Sequence, residues 1–296
     1  MAGLRSAAVL VGVLALVGAA ACAPEDQAAP PAASATGSST PSASANPCAR
    51  DQLEVITAGK FTVGTDKPAY APWFVDDDPT NGEGFESAVA YAVAEQLGFA
   101  ESEVTWITVP FTSAYAPGDK KFDVDINQVS ISEARKKAVD FSSGYYDVAQ
   151  TVIATKKSPI AGAKSIAELK DAKLGAQVGT TSYTAITEQI QPSAKPAVYD
   201  TNDLAVQALK NGQVDGMVVD LPTAFYITAA QLDDGTIVGQ LPPGSGTPEQ
   251  FGMVLAKGSP LTACVSMAVD TLKSDGTLAE LETKWLAGTD GAPVLS

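Results

Sequence analysis

The sequence contains no histidine and only three cysteines among its 296 residues. Without imidazole, neither a Ser-His-Asp triad nor a Cys-His pair can form. Zinc sites with histidine ligands are excluded, and three cysteines are too few for a four-cysteine site. General acid–base chemistry would depend on carboxylates, Lys, Tyr or Cys, a narrower choice than most hydrolases use. From the sequence we therefore assign no catalytic residue, no metal and no cofactor.

Basic residues are also scarce. The chain has 19 Lys and Arg against 34 Asp and Glu, which leaves a formal charge of −15. A nucleic-acid partner is not expected, because phosphate binding needs a surplus of Lys and Arg. Docking on an anionic membrane by charge alone is not expected either. The length allows one large domain or two of ordinary size.

The first 22 residues have the three-part pattern of a bacterial export signal. Arg5 supplies an early positive charge, an apolar run extends from Ala7 to Val17, and small residues lead to Cys22. The apolar run is too short to span a bilayer, so we predict a signal peptide. Cys22 after three alanines resembles a lipobox, which predicts a diacylglyceryl anchor with palmitate-type chains. The alternative is cleavage without lipidation, which would release the protein.

Residues 23–47 consist mostly of Ala, Pro, Ser and Thr. Such a segment buries too little surface to offset its ordering entropy, so we predict a disordered tether. Cys48 and Cys264 then lie near the two ends of the folded region. Because the exported environment is oxidising, a disulfide bond between them is favoured over two free thiols. The bond would place both ends of the folded chain in one lobe.

The remaining chain alternates between strand-like and helix-like segments. Runs rich in β-formers, such as Phe61–Thr65 and Val104–Val109, alternate with helical apolar spacing, as in Phe85–Leu97. Ser259-Pro260 fits the start of a late helix. This order predicts α/β lobes with mostly parallel sheets. Ligands of such sheets bind at the carboxyl ends of strands and at helix N-termini.

Several short motifs stand in order along residues 52–288. They are VGTD at 63–66 with YAPWF at 70–74, GFE at 84–86, SISEARKKAVDFS at 130–142, GTTS at 179–182, an Asp at 215 and at 220 on either side of a strand, and KSDGT at 273–277. As an ordered set they resemble the polar amino-acid family of extracytoplasmic solute-binding proteins (family 3) of ABC importers.

The resemblance implies a two-lobe, periplasmic-binding-protein-like (type II) α/β fold with two crossover strands and a ligand cleft. Lobe 1 would comprise residues 48–146 plus 250–288, and lobe 2 residues 150–246. It also implies an amino-acid ligand captured by lobe closure, and an ABC permease that receives it. We expect a monomer, lipid-anchored to the outer face of the bacterial cytoplasmic membrane.

The resemblance further assigns residues to the two charged ends of the ligand. A guanidinium can hold a carboxylate bidentately, so Arg135 is predicted to bind the α-carboxylate. Ser130, Thr180 and Thr181 would add hydroxyl and backbone N–H donors. Asp220 would pair with the α-ammonium. The plainer alternatives are a solvated Arg135, helix capping by the two threonines, and helix capping by Asp220.

Two aromatic residues and one acid complete the implied site. Tyr70 and Trp73 would wall the cleft and exclude water, which strengthens charged contacts. For Trp73, packing in the core is the alternative. Asp66 resembles a family residue near the ligand ammonium, although one extra residue precedes Tyr70 here.

The residues expected to contact the ligand side chain depart from the family pattern. The strand at 123–129 carries polar residues where relatives are mostly apolar or small. We hypothesise that Asn127 or Gln128 reads the ligand side chain. Asp125 is expected to be either part of this polar set or a buried structural carboxylate.

Two other functions remain open. Some relatives of this family are dehydratases that use cleft carboxylates and Lys, and Asp66, Lys67, Asp123 and Asp125 could supply such groups. A lipoprotein that senses a ligand and signals to a membrane partner would have the same cleft chemistry.

Overall fold

The computed structural model describes residues 46–244, 248–287 and 291–296. The predicted signal peptide, Cys22 and the predicted tether up to residue 45 lie outside the described residues. Within the described ranges, no helix is long and apolar enough to cross a membrane.

Strands and helices alternate along the described chain. The strands are β1 (Phe61–Thr65), β2 (Val104–Thr108), β3 (Val124–Asp125), β4 (Val139–Phe141), β5 (Tyr146–Val148), β6 (Gln150–Thr155), β7 (Leu174–Gln177), β8 (Ala197–Tyr199), β9 (Gly216–Asp220), β10 (Gly235–Gln240), β11 (Glu249–Phe251) and β12 (Val254–Ala256). The α-helices are α1 (Phe85–Gln96), α2 (Phe111–Ala114), α3 (Thr181–Ala185), α4 (Asn202–Lys210), α5 (Leu221–Tyr226), α6 (Thr262–Ser274) and α7 (Thr277–Trp285). Helices α3 and α5 each continue as one π-type segment, Ile186–Ile190 and Ile227–Gln231.

The first lobe is built on a sheet with the strand order β2-β1-β3-β12-β4. Every residue of β1 is buried, because this strand lies inside the sheet and is covered by the helices that follow it. Helices α1, α6 and α7 pack on one another and bury an apolar core that includes Phe61 and Phe85. Gly84 precedes α1 with φ +96°, and a Cβ there would lie 2.4 Å from the Trp73 carbonyl oxygen.

The second lobe has a sheet with the order β10-β6-β9-β7-β8. Its two faces carry separate apolar clusters, one around Leu169 and Ile186 and one around Leu209 and Met217. Helix α4 begins after Thr201, whose hydroxyl accepts the Leu204 N–H, so its first turn is capped locally.

Both sheets are mixed, so the expectation of mostly parallel sheets is wrong. Pairs β1–β2, β1–β3, β7–β8 and β7–β9 are parallel, whereas β12 runs antiparallel to β3 and β4, and β6 runs antiparallel to β9 and β10. The reversed strands, β6 and β12, are the ones that enter each sheet from the other lobe. They arrive from the cleft side and therefore run against the strands that lead towards it.

Two segments cross between the lobes side by side. Strands β5 and β11 form an antiparallel ribbon in which Tyr146 pairs with Phe251 and Val148 with Glu249. Within the first lobe, Cys48 and Cys264 form the predicted disulfide bond. Their Cα atoms are 5.3 Å apart, within the usual range for such a bond.

The C-terminal tail, residues 291–296, lies on the second lobe, although α7 before it packs on the first. The Leu295 N–H donates to the Gln240 carbonyl at 2.8 Å, and the Gln240 N–H donates to the Pro293 carbonyl at 2.7 Å. The Leu295 side chain is buried in the cluster around Leu169. The tail thus pairs with the end of the edge strand β10, at Gln240, whose backbone groups would otherwise be unpaired on that side.

The boundaries predicted for individual strands and helices differ from those observed by one or two residues. The late helix begins at Thr262, after Ser259-Pro260, with Leu261 at its N-cap. The strand expected to reach Val109 ends at Thr108. Helix α3 starts at Thr181 with Thr180 at its N-cap, so both predicted threonines lie at the start of this helix.

Candidate functional site

A cavity of about 60 Å³ lies where strands from both lobes end. Asp66 follows β1, Gln177 ends β7 and Asp220 ends β9, so the carboxyl ends of parallel strands supply its polar groups. The structure brings together here almost the whole predicted set, namely Asp66, Tyr70, Gln128, Ser130, Arg135, Thr180, Thr181 and Asp220.

Arg135 is buried on the first-lobe side of this cavity, so the alternative of a solvated cation does not hold. Its guanidinium donates to the Ser130 carbonyl at 2.7 Å and to the Gly179 carbonyl at 2.9 Å. It also lies 4.4 Å from the ring centroid of Tyr115 and 5.6 Å from that of Phe111. Burial lowers the pKa of Arg135 from its usual value, while nearby Tyr115 and acidic groups oppose that shift.

Gly179 joins the lobes through its carbonyl. The oxygen accepts from Arg135 and, at 3.1 Å, from the Tyr115 hydroxyl, both of which belong to the first lobe. The residue has φ +73°, and a Cβ would lie 2.3 Å from the Tyr115 hydroxyl oxygen. Glycine is required here both by the backbone conformation and by the close approach of the tyrosine.

The three predicted hydroxyls are used within the protein. Thr180 donates to the Gln177 carbonyl at 2.8 Å and accepts from the Tyr183 N–H, so it caps α3. Thr181 donates to Glu249 at 2.5 Å. The Ser130 and Thr181 hydroxyl oxygens are 3.1 Å apart across the cleft. What these residues can still offer an anion are backbone N–H groups at the start of α3.

Asp220 is linked to Glu249 through one amide. The Gln150 Nε2 lies 2.8 Å from Asp220 Oδ1 and 3.2 Å from Glu249 Oε2, and the Gln150 Oε1 accepts from the Ser182 hydroxyl at 2.6 Å. Burial, together with the charge of Glu249, raises the pKa of Asp220 to about 8. The Asp220 side chain makes no capping bond to α5, so the alternative of a helix cap does not describe it.

Asp66 and Tyr70 lie at the first-lobe side of the cavity. Asp66 accepts from the Lys67 N–H at 2.7 Å and from the Phe111 N–H at 3.1 Å, which fixes its carboxylate at the start of α2. Burial and the negative charge of Asp203 in the second lobe raise the pKa of Tyr70.

Gln128 is bound to a buried acid behind the cavity. Its backbone N–H donates to Glu86 at 2.7 Å, and its side-chain amide and the Tyr145 hydroxyl also donate to that carboxylate. Burial raises the pKa of Glu86 to about 7. The Gln128 backbone is left-handed, with φ +48°. One side-chain N–H of Gln128 is therefore used within the protein.

Asn127 and Asp125 have separate positions. Asn127 lines the cavity, and its Nδ2 is buried with no hydrogen-bond partner among the described residues. The Asp125 carboxylate lies over Gly64 beside Val109 and Phe122, outside the cavity lining. Burial raises its pKa well above the usual value, and Glu86 adds to the shift. Of the two alternatives for Asp125, the structure therefore favours a buried carboxylate outside the cavity over a ligand-contacting residue.

Trp73 does not line the cavity, so the prediction that it walls the cleft is wrong. It is fully buried in the first-lobe core, in edge contact with Phe85, Tyr146 and Phe251 at centroid distances of 5.5 to 6.0 Å. The indole ring is too large and apolar to leave that cluster. Only its N–H reaches the second lobe, where it donates to the Thr223 hydroxyl at 3.0 Å.

Several residues of the site were missed from the sequence. Phe111 and Tyr115 contact the guanidinium, Gln150 donates to Asp220 and to Glu249, and Thr223 contacts Trp73 and lines the cavity. Gln150 carried a weak signal as a polar residue at the start of a buried strand. Glu249 carried none, since its partners are far away in the chain.

The acids proposed for a dehydratase do not converge. Both oxygens of Asp123 accept backbone N–H groups, from Ile56 at 2.8 Å and Thr62 at 2.7 Å. Lys67 forms an exposed ion pair with Asp77 at 3.4 Å. With Asp125 in the core, only Asp66 and Lys67 of that set lie along the cavity.

Residues 61–288 match the family described as bacterial extracellular solute-binding proteins, family 3. The L-cystine-binding protein TcyJ of Escherichia coli (strain K12) is 29% identical over 234 residues, which are 78% of this chain and 84% of that protein. An ancestral arginine-binding protein bound to arginine has a similar structure, with TM-score 0.63, 31% identity and coverage of 77% and 99%. The ancestral amino acid-binding protein AncCDT-1, a precursor of cyclohexadienyl dehydratase, has TM-score 0.63, 33% identity and coverage of 77% and 95%.

Proposed function

Because the chain belongs to family 3 of the bacterial extracellular solute-binding proteins, we propose that it captures a polar amino acid or close analogue by lobe closure and delivers it to an ABC permease. The observation that carries this proposal is that Arg135 from one lobe and Asp220 from the other line one cavity. A free amino acid presents a carboxylate and an ammonium on one carbon, and each needs a charged partner once it leaves water.

The carboxylate end is assigned to Arg135. A guanidinium has five N–H donors, and the two contacts to Ser130 and Gly179 leave donors for a ligand. The rings of Tyr115 and Phe111 hold the guanidinium plane, so it is preorganised for a bidentate contact. Backbone N–H groups at Thr181 and Ser182 add to the positive potential.

The ammonium end is assigned to Asp220. Its pKa of about 8 means that the empty site holds a proton near neutral pH. An ammonium beside it favours the ionised form, so ligand entry exchanges this proton for an ion pair. The low-dielectric, buried setting makes such a pair stronger than one on the surface.

The ligand side chain faces polar groups, most of them neutral. Asn127, Gln177 and Asn202 line the cavity together with Tyr70 and Asp66. The unpaired Nδ2 of Asn127 is a donor available to a ligand acceptor. We assign the reading of the side chain to Asn127, because the Gln128 amide N–H is already bound to Glu86. This set suits a polar side chain better than an aliphatic one.

The same proposal includes binding without turnover. The relatives described above are named as binding proteins, one of them as a precursor of a dehydratase. The acids considered for a dehydratase are dispersed, with Asp123 bound to backbone N–H groups away from the cavity. Incubation with cyclohexadienyl-type acids, followed by product analysis, should therefore return the substrate unchanged.

We further propose that Cys22 carries the lipid and that residues 23–47 tether a monomeric binding protein beside its permease, outside the cytoplasmic membrane. Two acyl chains suffice for stable anchoring. A sensory lipoprotein would share this arrangement, and loss of amino-acid uptake in a deletion strain separates transport from signalling.

A thermal-shift screen of the purified protein tests the central proposal. A ligand at 100 times its Kd stabilises the folded form by about 2.7 kcal/mol, which is several degrees in Tm. We expect one or a few polar amino acids to raise Tm, and Arg135→Ala to abolish that rise. A folded protein whose Tm responds to none of the amino acids, cystine included, would contradict amino-acid binding.

A further inference from the structure

We propose that Glu249, on the crossover strand β11, is a positioning residue for ligand recognition: it orients Thr181 and, through Gln150, controls the acid that meets the ligand ammonium, Asp220. The inference rests on the proposed function, because it concerns the same cavity. Glu249 itself does not line that cavity, and it belongs to neither sheet.

The first observation is a directed chain of hydroxyls. Thr181 has one hydroxyl proton, and it donates that proton to Glu249 at 2.5 Å. The 3.1 Å contact between Ser130 and Thr181 therefore has Ser130 as donor. One carboxylate in the crossover ribbon thus fixes the direction of a hydrogen-bond chain that runs from the first lobe to the second.

The second observation is a shared amide. The Gln150 Nε2 lies between Asp220 Oδ1 and Glu249 Oε2, at 2.8 and 3.2 Å. The Gln150 Oε1 accepts from the Ser182 hydroxyl at 2.6 Å. This bond fixes the orientation of the amide, with its Nε2 towards the two acids. Gln150 begins β6, directly after the crossover strand β5. One crossover therefore leads to the amide that bonds Asp220, and the other carries the carboxylate that shares this amide.

The charges around Asp220 define what Glu249 does. Arg135 across the cavity favours the ionised form of Asp220, and Glu249 and the more distant Glu86 oppose it. Gln150 donates to the carboxylate and favours ionisation. Of the two opposing acids, Glu249 is the larger influence and is the one bound to the same amide. Removing its charge should let Asp220 ionise at lower pH.

The test compares Glu249→Gln with wild type and with Asp147→Asn. The Glu249→Gln variant keeps a side-chain oxygen that can accept from Thr181 but has no charge. Asp147 lies on β5, the other strand of the ribbon, and accepts from Gln250 at 2.6 Å, so its neutralisation is a matched control. Affinities for L-arginine, L-glutamine and L-cystine are measured by calorimetry from pH 6 to pH 9, and the Asp220 carboxyl is titrated by NMR without ligand.

We expect Glu249→Gln to lower the Asp220 midpoint by about one pH unit, a usual effect of one nearby charge. Binding to the empty site expels the Asp220 proton, so this variant should lose less affinity between pH 9 and pH 6. The ratio of Kd at pH 6 to Kd at pH 9 should fall by up to about tenfold. At pH 9, where ionisation is equal, its affinity should be several-fold weaker because Thr181 and Gln150 are less well held.

Asp147→Asn and Glu249→Asp, which retains the charge, should leave the midpoint near that of wild type. An unchanged midpoint and an unchanged Kd ratio in Glu249→Gln would overturn the proposal, since a purely structural role shifts neither. A wild-type protein that binds neither these probes nor any other amino acid would contradict the proposed function instead. In that case the ligand-free titration still decides whether Glu249 governs Asp220.

Discussion

The indole N–H of Trp73 donates to the hydroxyl of Thr223 at 3.0 Å, and the two residues belong to different lobes. Trp73 is fixed in the first-lobe core, whereas Thr223 lies in α5, which follows Asp220 directly. The contact is buried, so neither partner can exchange it for water in this conformation. It therefore connects the core of the first lobe to the helix that follows Asp220.

Thr223→Val should weaken ligand binding about tenfold, because an unpaired buried indole N–H costs about 1–3 kcal/mol in the closed form. Calorimetry measures the loss, and the open form, detected by a red shift of tryptophan emission, should become easier to populate. Thr228→Val is the matched control, because the Thr228 hydroxyl bonds within its own helix, to Ala224 at 2.8 Å. Equal losses in the two variants would show that the contact between lobes has no special weight.

Arg135→Lys should lower affinity by about 100-fold or more, although the charge is retained. An ammonium cannot bond the Ser130 and Gly179 carbonyls and also present a planar pair of donors to a carboxylate. The control is Lys136→Ala in the same basic run, because Lys136 is exposed and its ion pair with Glu133 lies in the solvent. We expect that control to bind within about twofold of wild type in calorimetry. A lysine variant with near wild-type Kd would remove Arg135 from the carboxylate site.

Most residues that line the cavity could be named from the sequence because they lie in short motifs that resemble the family pattern. Arg135 and Ser130 share one motif, and Thr180 and Thr181 share another. Trp73 was misassigned because the spacing of an aromatic residue does not say which side of a loop its ring faces. Its burial depends on Phe251, which is distant in sequence.

The supporting residues were not predictable for the same reason. The Gln150 amide and the Glu249 carboxylate are 99 positions apart and meet only because the two crossover strands pair. The mixed sheets follow from the same crossovers, since a strand that enters from the other lobe reverses the local direction. Local sequence patterns do not indicate which distant segments pair with each other.

Asp125→Asn should flatten the dependence of stability on pH. Burial raises the folded pKa of Asp125 well above its usual value of 3.8, so the folded state holds a proton that the unfolded chain releases. The free energy of unfolding contributed by this group therefore falls as pH rises above about 4 towards the folded pKa. Glu86, with a folded pKa of about 7 against 4.5, adds to the fall in the same window. The asparagine is neutral in both states and contributes no such fall.

Urea unfolding at about pH 5 and pH 8 measures this effect. The wild type should lose more stability between the two values than the asparagine variant. Asp119→Asn, at an exposed position, is the control and should follow the wild type. A variant with an undiminished difference between the two pH values would show that Asp125 ionises freely in the folded protein.

Leu295→Ala should lower the free energy of unfolding by about 2 kcal/mol, the lower end of the cost for a buried leucine. The Leu295 side chain is 2% exposed in the second-lobe core, and its neighbour Val294 is 62% exposed. Val294→Ala, one position earlier in the same tail, should therefore cost less than about 0.5 kcal/mol. The comparison isolates burial from backbone pairing, because both residues lie on the same segment that pairs with Gln240. If the two variants unfold at the same urea concentration, the tail does not contribute to the core of the second lobe, and its contacts are only those of a surface strand.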